Sequence, residues 1–180
     1  MQINPKSVVL AVTLLMMSLL AGCMASTVQM PTRPITISVN DALDAQSAGM
    51  SALLSGQVEW TENQFSSLLS ELVKQNSGPN MPIQEIDTWF EPNNQLFMRV
   101  LLQNNVLKQG NTLDLQGTVE VQNHHLVITL QQAGVGEMSV SNPILTSIST
   151  QINNVLASPN LGVAVKVTTD TGKLTVQLGS

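Results

Sequence analysis

Tyrosine is absent from the sequence, cysteine occurs once, at Cys23, and five aromatic side chains make up the whole set: Trp60, Phe65, Trp89, Phe90 and Phe97. Charged residues are sparse, at 11%. Each shortage excludes something. A single cysteine closes no intramolecular disulfide, so the chain holds itself together by burial. Seven basic residues face twelve acidic ones. No basic footprint is left for nucleic acid, whose binding rests on phosphate neutralisation, and none for electrostatic docking to anionic lipid. There is no Gly-x-Ser-x-Gly elbow and no phosphate-cradling glycine loop. No apolar run reaches the ~20 residues of a membrane-spanning helix.

The longest apolar run, Val8 to Leu20, is 13 residues, the length of a signal-peptide core. Lys6 precedes it and Leu20-Ala21-Gly22-Cys23 follows it. This tetrapeptide resembles the bacterial lipobox, in which a signal peptidase cuts before the cysteine and the thiol carries diacylglycerol. The resemblance implies a signal peptide over 1–22, a lipidated Cys23 that heads the mature chain, and export. Two or more acyl chains anchor stably where one does not. Met24 is not the aspartate that retains lipoproteins in an inner membrane, so an outer-membrane destination is expected in a two-membrane organism. Otherwise the domain is expected on the outer face of the cell membrane. With Cys23 acylated, no thiol remains as a nucleophile.

Removing 1–22 leaves 158 residues, the size of one domain. Residues 23–35 read as lipidated Cys and linker, with Pro31 and Pro34 and no periodicity, and 36–180 as a single domain. Ser38 and Asp41 suggest a cap for a helix to about Leu54, with an apolar face of Val39, Ala42, Leu43, Met50, Leu53 and Leu54, closed by Ser55-Gly56. Thr61 and Gln64 form a capping box, flanked by a Trp60–Phe65 staple. Phe65, Leu68, Leu69, Leu72 and Val73 then make one stripe, with Ser66, Ser67, Ser70 and Glu71 opposite. From Ile83 the period is two. Strands are expected around 83–90, 96–102, 113–121 and 126–130, with turns at Glu91–Asn94, Asn104–Asn111 and Asn123–His125. Asn142-Pro143 opens a third helix whose face is Ile144, Leu145, Ile148, Ile152, Val155 and Leu156; Ser158-Pro159 ends it. Val163, Val165 and Val167, then Leu174, Val176 and Leu178, flank a turn at Asp170–Gly172. The class is α+β.

Chemistry-bearing residues are few. His124 and His125 are neighbours on a turn and point apart, which does not chelate one metal. Glu85 and Asp87 share a strand face and read as solvated carboxylates. No catalytic set, metal site or cofactor site is expected, and the chain does not read as an enzyme. Phe97 and Leu101 make the 96–102 strand apolar on both sides, so either a helix covers the second face or a patch is exposed.

Three segments carry a wider resemblance: Trp60-Thr61-Glu62-Asn63-Gln64-Phe65 with Leu68-Leu69; Trp89-Phe90-Glu91-Pro92-Asn93-Asn94-Gln95-Leu96; and Val135-Gly136-Glu137-Met138 leading to Pro143. With the order of elements over about 38–178, they resemble single modules of the tubular lipid-binding superfamily that includes bactericidal permeability-increasing protein. The resemblance implies a curved antiparallel sheet of about five to six strands wrapped against two or three amphipathic helices, and a bound lipid or other apolar ligand. Residues expected to line such a channel are Phe65, Leu68, Leu69, Leu72, Met98, Val100, Leu115, Val119, Ile128, Ile148, Ile152 and Val155. The same residues would equally make a dry core. Two functions follow as expectations: a membrane-anchored binder or shuttle of lipid, or a structural lipoprotein with a filled core that docks another envelope protein.

Overall fold

The computed structural model describes residues 28–76, 83–103, 110–135, 138–139, 142–157 and 164–179. The expected signal peptide, Leu20–Cys23, the Pro79 loop, most of the Asn104–Asn111 turn and Ser158-Pro159 lie outside the described residues.

Three helices and eight strands are found among the described residues: α1 (Val39–Ser55), β1 (Gln57–Thr61), α2 (Glu62–Asn76), β2 (Ile83–Glu91), β3 (Gln95–Leu102), β4 (Thr112–Gln122), β5 (His125–Val135), β6 (Met138–Ser139), α3 (Asn142–Leu156), β7 (Ala164–Asp170) and β8 (Lys173–Leu178). The class is α+β. The single sheet of five to six strands is corrected, because the strands divide into two antiparallel sheets. The larger is a meander, β2-β3-β4-β5-β6, and the smaller runs β1-β8-β7. The last hairpin does not extend the meander. It pairs instead with β1, with Trp60 opposite Leu174 and Val58 opposite Val176.

The helix ends form where the sequence places them. The Asp41 N–H donates to Ser38 Oγ at 3.0 Å, and Gly56, at φ 76°, closes α1 in the left-handed conformation. Thr61 and Gln64 bond reciprocally, the Thr61 N–H to Gln64 Oε1 at 3.1 Å and the Gln64 N–H to Thr61 Oγ1 at 3.3 Å. The staple rings of Trp60 and Phe65 lie 6.1 Å apart.

Which face α1 buries is a second correction. Ala42, Ala45 and Ala52 are buried, while Val39, Leu43, Met50, Leu53 and Leu54 are exposed. The reason is Trp60. Its indole N–H donates to the Ala45 carbonyl at 2.9 Å, and a Cβ at Gly49 would sit 3.4 Å from its ring. Only the small-residue stripe lets the helix lie that close to a large ring.

The polar side of α2 is not a solvent face. Ser66, Ser67 and Ser70 are buried, as is Glu62. Ser66 Oγ accepts from the Thr88 N–H at 2.7 Å and Ser70 Oγ from the Ile86 N–H at 2.9 Å. Glu62 Oε1 accepts from the Phe90 N–H at 2.9 Å. Four helical residues rise about 6 Å and two strand residues about 6.8 Å. Side chains at i, i+4 and i+8 therefore keep step with alternate N–H groups of β2 and act as its missing neighbour. The opposite edge is treated alike. Asn153 Oδ1 accepts from the Ile128 N–H at 2.8 Å, its Nδ2 donates to the Ile128 carbonyl at 2.9 Å, and Ser149 Oγ donates to the same carbonyl. Covered edges do not recruit foreign strands.

In the strands, Leu96, Met98, Val100 and Leu102 of β3 and Leu113, Leu115 and Val119 of β4 are buried, as their alternation requires. Gly117 sits at a break in the β4–β5 register, where a Cβ would lie 2.3 Å from the Thr129 carbonyl oxygen. Val165 departs from the expected alternation. A register shift between Ala164 and Lys166 puts Ala164 and Val167 inside and leaves Val165 exposed.

Candidate functional site

The residues expected to line a channel are nearly all in one packed cluster. Phe65, Leu68, Leu69, Met98, Val100, Leu115, Val119, Ile128, Ile148, Ile152 and Val155 belong to the core, and Leu72 packs against it from a half-buried position. Met98, Val100, Leu115, Ile128 and Ile152 are 0% exposed, so not even a water molecule finds room against them. Leu68 and Leu72 also line a shallow groove of about 120 Å³ with Val39, Ala42 and Leu43 of α1. Cys23 lies outside the described residues.

The densest polar constellation is one that the sequence alone did not mark. Arg33, inside the expected linker, is clasped by the folded domain. Its Nη2 donates to Glu62 Oε1 at 2.7 Å and its Nη1 to Glu91 Oε1 at 2.8 Å. Nη2 also reaches the Phe90 carbonyl at 3.2 Å. The indole N–H of Trp89 donates to the Arg33 carbonyl at 2.7 Å. Glu91 also accepts from Thr171 Oγ1 at 3.0 Å, and the Gly172 N–H bonds the Phe90 carbonyl. The N-terminal segment, the start of α2, the end of β2 and the β7–β8 turn therefore meet at one guanidinium. The Glu62 hydrogen bonds, followed by those to Glu91, raise the Arg33 pKa above its ordinary value against the opposing effect of burial. Downstream, the Thr36 N–H donates to Asn63 Oδ1 and the Ser38 N–H to Ser67 Oγ, so the segment runs along α2 before turning into α1.

That segment, with no helix, is what approaches the second face of β3. Met30, Pro31 and Arg33 share a groove of about 610 Å³ with Phe97 and the β2–β3 turn. Trp89 is buried, and Phe97 and Leu101 are half-buried. On the same face Asp87 stands opposite Arg99 and Arg99 opposite Asp114. Arg99 grips Asp114 with Nε at 2.7 Å and Nη2 at 3.0 Å and lies 6.0 Å from the centre of the Trp89 ring. Asp87 is half-buried rather than fully solvated. Desolvation, reinforced by Glu85 and opposed by Arg99, pushes its pKa up to about 6.

A second groove of about 610 Å³ runs between β5 and α3. Its polar wall is Gln122, Thr129, Gln131, Thr146, Ser149, Thr150, Asn153 and Asn154, and its apolar floor includes Val127, Leu130 and Leu145. Amides and hydroxyls of this kind hydrogen-bond a neutral surface and supply neither a nucleophile with its base nor a cation. Asn123 and His124 have φ of 50° and 66°, the two left-handed residues of a tight hairpin, and both histidines are exposed. Among the described residues no three His, Cys, Asp or Glu side chains gather into a metal site. No helix among them is long and apolar enough to cross a membrane. No family model and no curated protein sequence matches the chain.

Proposed function

We propose that the chain is an exported lipoprotein, tethered to the envelope by acylated Cys23, whose folded domain works through its outer surfaces by docking another envelope component. The observation that carries the docking half of this reading is the filled interior. An acyl chain needs a void, and Met98, Val100, Leu115, Ile128 and Ile152 have none beside them. The clasp at Arg33 supports the tether half, because a domain pulled from its N-terminus is secured there by an ion pair with the side chain of Glu62, itself only 9% exposed. The sheet edges covered by α2 and α3 leave side-chain surfaces, rather than open strands, for a partner.

A second reading, a binder of lipid or another apolar ligand related to the tubular lipid-binding modules, draws on the groove of Val39, Leu43, Leu68 and Leu72. At about 120 Å³ it is well below the roughly 300 Å³ at which ligand pockets begin. The two readings separate on one experiment. The Cys23→Ser protein, purified without detergent and extracted with organic solvent, should yield no stoichiometric apolar molecule and should take up no fluorescent fatty acid. A lipid recovered at one per chain would overturn the docking reading in favour of the second.

A further inference from the structure

Large exposed hydrophobic side chains are few on this domain, and they are not scattered. Of the six among the described residues, five lie on α1: Val39, Leu43, Met50, Leu53 and Leu54, exposed by 57–96%. At 100° per residue they fall within an arc of about 100° that runs the length of the helix. The opposite side of α1 is occupied, since its alanines and Gly49 are laid against Trp60 and α2. The stripe is therefore open to solvent, with its Val39 and Leu43 end bordering the groove against Leu68 and Leu72 of α2. Single exposed apolar residues are ordinary, whereas a continuous row marks a contact surface.

We infer that this stripe lies on the bilayer, in the plane of its interface, with neutral lipid as its occupant. The inference rests on the Cys23 tether proposed above. Val28, where the described residues begin, is five chain steps from Cys23, a stretch that fully extended reaches no more than about 18 Å. Arg33, the point of the clasp, is ten steps from Cys23, a reach of about 36 Å at most. A folded body of this length is itself roughly 40 Å across, from a radius of gyration near 15 Å. The tether therefore keeps the domain within about one of its own diameters of the membrane. Under such a leash even a weak apolar contact is made at millimolar effective concentration. The helix also fits lipid in its charges. Asp41 and Asp44 are its only charged residues, and it has no lysine or arginine. An interfacial helix recruited from solution normally needs a basic face, but one held by acyl chains does not.

The chain supplies its own probe. With Cys23 acylated there is no free thiol, so Leu54→Cys in the full-length chain, made in a host that processes lipoproteins, takes an environment-sensitive dye at one site. A second chain carrying Glu120→Cys, at an exposed position near the end of β4, is the reference. Both are reconstituted into phosphatidylcholine vesicles with and without a doxyl-labelled lipid. The expected result is a blue-shifted emission at position 54 that the doxyl lipid quenches, with neither effect at position 120. Equal, unquenched emission at both positions would overturn the inference. So would a blue shift at 54 that lipid does not quench, accompanied by cross-linking of two copies, which would assign the stripe to a second copy of the chain. The unsubstituted protein separates these outcomes from failure of the tether. If its Cys23 takes the dye, the tether itself is wrong and the inference falls with it.

Discussion

Asp87 is a carboxylate that the fold treats badly. Its neighbours across β3 and β4 form an alternating row, Asp87, Arg99, Asp114, but Arg99 spends both of its short hydrogen bonds on Asp114. Asp87 is left half-desolvated beside Glu85, with a folded pKa of about 6 against an ordinary 3.8. A pKa raised on folding means that the native state holds a proton which the unfolded chain has released. The associated stability is present below about pH 4 and is lost as the pH rises through 6. Asp87→Asn should therefore stabilise the protein at pH 7.5 and flatten its stability profile between pH 4 and 6. Because the group is half-exposed, screening limits the gain to about 1 kcal/mol. Urea midpoints measured across that pH range check it, and a variant less stable than the parent at pH 7.5 would contradict it. The sequence placed Glu85 and Asp87 on one face. That Arg99 would be monopolised by Asp114 was not legible, because it depends on the register of a third strand. Gly117 is similar. It reads as one more member of a buried alternation, and only the backbone of Thr129 passing opposite reveals why nothing larger stands there.

At the scale of elements, α2 is the most instructive. Its apolar stripe and both halves of its capping box were legible, because they are local patterns of three and four residues. Its serines were not, because a buried hydroxyl and a solvated one have the same spacing. What distinguishes them is an unpaired strand edge alongside, in β2. Ser66 and Ser70 each accept from a buried backbone N–H of β2, and an unsatisfied buried N–H costs roughly 1–3 kcal/mol. The double variant Ser66→Ala/Ser70→Ala should lose about 3 kcal/mol in urea unfolding, and Ser66→Thr should retain more than Ser66→Ala. A double variant within about 0.5 kcal/mol of the parent would mean that the ladder contributes nothing net. In α1 the periodicity reads as one apolar face, in which Ala42 is grouped with Val39, Leu43, Met50, Leu53 and Leu54. Hydrophobicity favours burying Leu43, Met50 and Leu53. The bulk of Trp60 decides for Ala42, Ala45 and Ala52 instead, and the large side chains end up outside.

The whole molecule turns on pairings that no local pattern contains. The faces of β3 and β4 were legible from their alternation, whereas Val165 at its bulge and the consecutive buried Thr88, Trp89 and Phe90 of β2 were not. The division into two sheets was not, since it depends on β1 meeting β8 across more than a hundred residues and on α3 occupying the edge of β5 with Asn153 and Ser149. The same holds for Arg33. Read along the chain it is a lone basic residue between two prolines, while in the fold it joins the N-terminal segment to α2, β2 and the final hairpin. These features give a domain with a filled core, a larger sheet whose edges are covered by α2 and α3 and one apolar helix face, proposed to be held at a membrane by Cys23. The intact mass of the protein recovered from membranes tests that account most directly. The expected species begins at Cys23 and carries a diacylglycerol on its thiol, and a Cys23→Ser variant is no longer retained in the membrane fraction. A membrane-recovered chain with an unmodified Cys23, or one whose mature N-terminus lies elsewhere, would contradict it.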